Sequence, residues 1–202
     1  MDYKKKIIVA GLFFFLSLLP TLSWSHPHVF IHNSVNVFFD EKGLAGFRIC
    51  WVFDEMFSSM IIQDFDRNGN SRFEPAEMGH LKKGAFYNLR KFDYFTHIKI
   101  CGRPFKVKFV KDFSPEIKQG KLVYRFTVPC HARATDAFKE VRLSIYDDSF
   151  YSSVLLVKNP VTVYNSDAFD FEFNIRKNRA EAYYYGQIYP EDIILRFKRK
   201  ND

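Results

Sequence analysis

Three histidines, His26, His28 and His32, fall within seven residues of a chain that holds six in all. On a strand, alternate side chains share a face, so the three rings would point to one side. Imidazole nitrogen ligates zinc, nickel, cobalt and copper alike, so the set points to a divalent transition metal without choosing among them. If His26 is the first residue of the mature chain, its α-amino group and ring can close a chelate on one ion. A polar start to an edge strand is the plainer use of the same residues. Asp147, in the run Tyr146-Asp147-Asp148, can complete the site if the fold brings it near His26 and His28; a bend between strands accounts for that run equally well.

A second constellation, DFDRNGNSRFEPAE from Asp64 to Glu77, has the residue types of a calcium loop. A frame starting at Asp64 puts Gly69 at the sixth position but leaves Pro75 at the twelfth, where it has no side-chain ligand. A frame starting at Asp66 places Asp66, Asn68 and Asn70 at positions one, three and five. Arg72 then offers its carbonyl at seven, Glu74 acts through water, and Glu77 supplies the bidentate carboxylate at twelve. Ser71 stands where the sharp turn favours glycine. With few full charges, the expected affinity lies in the weak extracellular range, on the order of 0.1–1 mM. The competing reading is a polar turn between two helices.

Both constellations depend on the elements around them. Residues 1–25 read as a secretory signal: Lys4 to Lys6 precede an apolar run from Ile7 to Leu19, Pro20 breaks it, and Ser23 and Ser25 stand three and one before a cut ahead of His26. Export would place the chain outside the cytoplasm, and residues 26–202 are enough for one domain. Alternating apolar residues predict a hairpin of His28 to Asp40 with Leu44 to Phe53. Further strands are expected at 98–100, 105–110, 122–128, 141–146, 153–157 and 169–175. The period changes between the second and third strands. Asp54 caps a helix to about Asp64 with Phe57, Met60 and Ile61 on one face, and a second helix runs from Pro75 to about Lys91. The expected fold is α+β: a mainly antiparallel β domain with an inserted EF-hand-like helix–loop–helix at about 54–91.

The remaining chemistry is sparse. There is no nucleophile-elbow, phosphate-loop or dinucleotide motif, so no enzyme activity is expected. Cys101 and Cys130 lie at the ends of strands that could pair, which makes them the favoured disulfide, with Cys50 a buried thiol. The net charge is +7, and Arg196, Lys198, Arg199 and Lys200 concentrate it in the tail. For an exported chain this argues against nucleic acid; a solvated tail is expected, or else peripheral contact with an anionic membrane.

Taken together, HPHVFI after the signal, WVFDEMFSSM, DFDRNGN with its later glutamate, and SIYDDSFY resemble a family of periplasmic proteins described as components of an ABC-type transport system. That family includes the Zev-type zinc-uptake accessory proteins, and members are associated with nickel/cobalt-type permeases. The resemblance spans the mature chain. It implies an accessory or binding role in transition-metal transport beside an inner-membrane permease, with His26 and His28 matching the HPH motif and Asp66, Asn68, Asn70 and Glu77 the acidic loop. Two other classes remain: a calcium-stabilised envelope module without a transport role, and a copper protein using an N-terminal histidine brace.

Overall fold

The computed structural model describes residues 27–200; the signal region and His26 lie outside the described residues. In chain order the strands are β1 (Val29–Asp40), β2 (Gly43–Phe53), β3 (Thr96–Ile100), β4 (Arg103–Phe105), β5 (Lys111–Lys118), β6 (Lys121–Arg133), β7 (Lys139–Ile145), β8 (Ser152–Tyr164), β9 (Phe169–Lys177) and β10 (Glu191–Arg199). Two helices, α1 (Glu55–Phe65) and α2 (Pro75–Gly84), and a tighter helical segment, Phe86–Phe95, fall between β2 and β3.

The strands form two five-stranded sheets, ordered β5-β6-β2-β1-β8 and β4-β3-β7-β10-β9. Every pairing is antiparallel except β1 with β8, which run parallel. The expected β1–β2 hairpin forms, with the Asp40 carboxylate accepting the backbone N–H groups of Lys42 and Gly43 at 2.8 and 3.1 Å. Alternation then sorts the faces: Ile31, Val35, Val37, Ile49, Trp51 and Phe126 point into a core shared with Leu143, Ile193 and Phe197 of the other sheet. Phe39 joins the two sheets at one end, its ring 5.0 Å from Phe169 and 5.2 Å from Phe197.

Four expectations require correction. The basic tail is not a free segment, although the side chains of Arg196, Arg199 and Lys200 stay exposed. It is β10, flanked by β7 and β9, because Ile193, Leu195 and Phe197 recur at every second position and bury one face in the core. Arg196 and Lys198 pair across to Glu172 and Asp170 at 2.5 and 3.4 Å. The second helix stops at Gly84, and the chain tightens so that Phe86 turns into the core. Met60 is half exposed, whereas Ser58 and Ile61 form the inner face of α1. Finally, Cys101 and Cys130 are unpaired. Strand β6 pairs with β5 rather than with the 105–110 segment, so Cys130 is buried in one sheet while Cys101 sits exposed at the β3–β4 turn of the other.

Two polar contacts attach the helices to the sheet. The Asp54 carboxylate accepts Phe57 N–H at 2.9 Å as the cap of α1, and Phe30 N–H at 2.7 Å from the head of β1. The buried Ser58 hydroxyl accepts Leu122 N–H at 2.9 Å, docking α1 on β6. Among the described residues no helix is long and apolar enough to cross a membrane.

Candidate metal sites

The loop between α1 and α2 is organised by its own side chains. Asp66, at the end of α1, accepts Asn70 N–H at 3.2 Å and Ser71 N–H at 2.9 Å, one on each carboxylate oxygen. The Asn68 and Asn70 side-chain oxygens accept the N–H groups two residues on, at 3.0 and 2.9 Å, as Asx turns. Glu77 lies at the third position of α2, 8% exposed. It accepts Glu74 N–H at 3.0 Å, closing a capping box, and Arg67 N–H at 2.9 Å. Ser71 takes the left-handed conformation, φ 61°, that the turn requires.

Each of these oxygens spends one lone pair on a backbone N–H and retains another. The donors are all oxygens, so the set suits a hard cation such as calcium rather than a soft one. Glu74 adds a third carboxyl, its pKa held down to about 2 by hydrogen bonding with Glu77 first and with the Asn70 amide next. Among the described residues, however, no three His, Cys, Asp or Glu side chains gather into a metal-holding group. The loop's other donors are two amides and a backbone carbonyl.

The histidine set is only partly within view. His28 is exposed at the head of β1; its backbone N–H donates to Tyr151 O at 2.8 Å, and its ring lies 4.9 Å from the Tyr151 ring. His32 occupies the same exposed face, in register with Val52 and Leu155. The shared face is as expected, but four strand residues span about 13 Å and side chains standing off a sheet do not converge. His32 is therefore out of reach of an ion held by His28. Asp147 does come to the same end of the sheet, because Val29 pairs with Ser152 and Ser152 N–H donates to Asp147 at 3.0 Å. Asp147 is 4% exposed and lines a groove with the inward-facing Val29 and Ile31, a groove that His28 does not line. Two further bonds from Ser149, its N–H at 3.0 Å and its hydroxyl at 2.7 Å, hold it there.

Some polar groups were not singled out by the sequence. His97 stacks on Tyr146 at 3.9 Å, and beside them the Ser144 hydroxyl donates to the buried Asp192 carboxylate at 2.6 Å. Register places His97 and Asp192 on either side of Ser144. These residues come from three strands separated widely in the chain, and no local spacing connects them. Burial pushes the Tyr146 phenol up to about 12.

Comparison with known proteins gives two relatives. An "Uncharacterized 15.5 kDa protein in trpE 3'region" of Spirochaeta aurantia is 33% identical over 131 residues, covering 64% of this chain and 93% of that protein. An "Uncharacterized protein" of Haemophilus influenzae is 26% identical over 153 residues, covering 71% of this chain and 66% of that protein. The model of a family described as "Protein of unknown function (DUF1007)" matches residues 11–192, nearly the whole of the described domain, and the chain belongs to that family.

Proposed function

We propose that this protein is a periplasmic accessory protein for divalent transition metal (zinc, nickel, cobalt or copper), passing it to or from an inner-membrane permease. The observation that carries the reading is the setting of His28. It stands exposed at the head of β1, its backbone pinned to Tyr151 and its ring on the open face. His26 precedes it at the two-residue spacing that puts both rings on one side of an extended chain. The secretory character of residues 1–25 supplies the compartment, and the HPH resemblance supplies the transport context.

In this reading the helix–loop–helix is an EF-hand-like calcium site with a structural task. A cation held by Asp66, Asn68, Asn70, the Arg72 carbonyl and Glu77 binds only the folded loop and so stabilises the insertion. That task also stands alone, as a calcium-stabilised envelope module, and the pre-formed loop geometry favours it independently of the histidines.

Calorimetric titration of zinc and nickel into protein processed to begin at His26 tests the proposal. Affinity should drop strongly for His28→Ala and for a variant with one extra residue before His26, which moves the free amine from the chelate. His32→Ala should leave it unchanged. Ligand nitrogens must be deprotonated, so binding should weaken as pH falls. Equal affinity in all four proteins would place the metal elsewhere, and no binding in any would leave the calcium module standing.

A further inference from the structure

A groove of about 450 Å³ opens between the head of β1, the end of β2 and the Phe86–Phe95 segment. That volume suits a small organic ligand. Trp51, Phe53, Phe95 and Tyr124 form its buried floor, and Phe92 and Tyr151, each 57% exposed, stand at its mouth. One wall is polar and carries Asp147. No lysine, arginine or histidine lines the groove, although the chain has 30 Lys and Arg against 23 Asp and Glu.

That wall carries an acidic group with no cationic side chain paired to it among the described residues. Asp147 is 4% exposed, and its three hydrogen bonds come from neutral donors on Ser149 and Ser152. Among the described residues no salt bridge reaches it. The three hydrogen bonds satisfy both carboxylate oxygens, but no cationic side chain of the described residues neutralises the charge, so a cation arriving in the groove would be attracted to it. A hydrated metal ion gains less there, because most of the lining is carbon and few oxygen atoms could replace its water. An alkylated ammonium is weakly hydrated, and aromatic rings attract it through their negative faces.

The backbone at the mouth supports a binding role. Asp93, Tyr94 and Phe95 are three consecutive non-glycine residues in the left-handed region, φ 51°, 54° and 54°. Such strain collects at ligand clamps. Here it lies directly after Phe92 and includes Phe95, both of which line the groove.

We infer that this groove binds a small organic cation of the quaternary or alkylated ammonium class, with the aromatic residues surrounding its methyl groups and Asp147 supplying the counter-charge. His28 and the calcium-type loop do not line the groove, although the His28 ring lies 4.9 Å from the Tyr151 ring at its mouth.

The test is calorimetry on the mature chain with choline and with 3,3-dimethyl-1-butanol, its neutral carbon isostere. Choline should bind saturably, and the isostere at least roughly tenfold more weakly, because only the ion gains from ring faces and carboxylate. Phe92→Ala should weaken choline binding roughly two- to fivefold, as expected for a ring at an exposed mouth. Asp147→Asn should weaken it further while leaving the isostere unaffected. Asp147 also braces the turn before β8, so thermal melting accompanies each variant, and the exposed Phe92 keeps the test decisive if Asp147→Asn fails to fold. Equal affinity for choline and the isostere, absence of choline binding, or unchanged choline affinity in Phe92→Ala would overturn the inference.

Discussion

Glu77 accepts the backbone N–H of Arg67 at 2.9 Å across ten residues of chain, so the first turn of α2 is tied to the end of α1. The same carboxylate caps its own helix through Glu74 N–H. One side chain therefore sets the loop's shape and occupies the position of a bidentate calcium ligand. Calcium should stabilise the protein: at ~10 mM, with a Kd near 0.1–1 mM, mass action contributes roughly 1.5–3 kcal/mol, a rise of several degrees in Tm. Glu77→Gln should abolish most of that increment and also lower Tm without calcium, since its amide cannot accept both N–H groups. An unchanged wild-type Tm in calcium would reduce the loop to a turn.

Ser71 holds a conformation that costs a residue with Cβ more than glycine. Ser71→Gly should therefore stabilise the calcium-free protein by about 0.5–1 kcal/mol, the relief of strain exceeding the added chain entropy. Urea unfolding measures it. A destabilised variant would mean that the Ser71 side chain does something the turn geometry does not show.

Ser58 is the peg between α1 and β6. Its hydroxyl is the partner of the buried Leu122 N–H, and Ser58→Ala leaves that donor orphaned. The expected loss is about 1–3 kcal/mol. Denaturant melts would show it as a lower midpoint with an unchanged slope.

The cysteines should differ sharply toward iodoacetamide. Cys101 is exposed at a turn, whereas burial pushes the Cys130 thiol up to about 12 and denies reagent access. In the native protein Cys101 should label first, and Cys130 only after unfolding. A Cys101–Cys130 linkage in a non-reducing peptide map would contradict the separation of these residues into different sheets.

Glu74 makes one stretch of the pH profile predictable. Its folded pKa, about 2, lies below the ordinary 4.5, so between those values the unfolded chain binds more protons. Its contribution is complete above pH ~5 and is lost as pH falls from about 4.5 to about 2. Glu74→Gln should flatten that part of the stability curve relative to wild type. An identical acid limb in both proteins would show that Glu74 is not held by Glu77 and Asn70.

Local periodicity determined much of the scaffold. The β1–β2 hairpin, the Asp54 cap, the start of α2 at Pro75 and the phenylalanine alternation of β9 were all legible in sequence, because each rests on contacts within a few residues or on a two-residue repeat. The Asx turns and capping box of the loop are local chemistry of the same kind. What local pattern could not give is pairing between distant strands. Strand β10 reads as a basic tail until pairing with β7 and β9 seats Ile193, Leu195 and Phe197 in the core against the other sheet. The parallel seating of β8 beside β1 brings Asp147 to the His28 end of the sheet, yet into a groove that His28 does not line. That separation, the unpaired Cys101 and Cys130, and the groove floored by Trp51 are consequences of which strands became neighbours. Strand order is set by burial of a common core, a property of the whole chain that no short window of sequence contains.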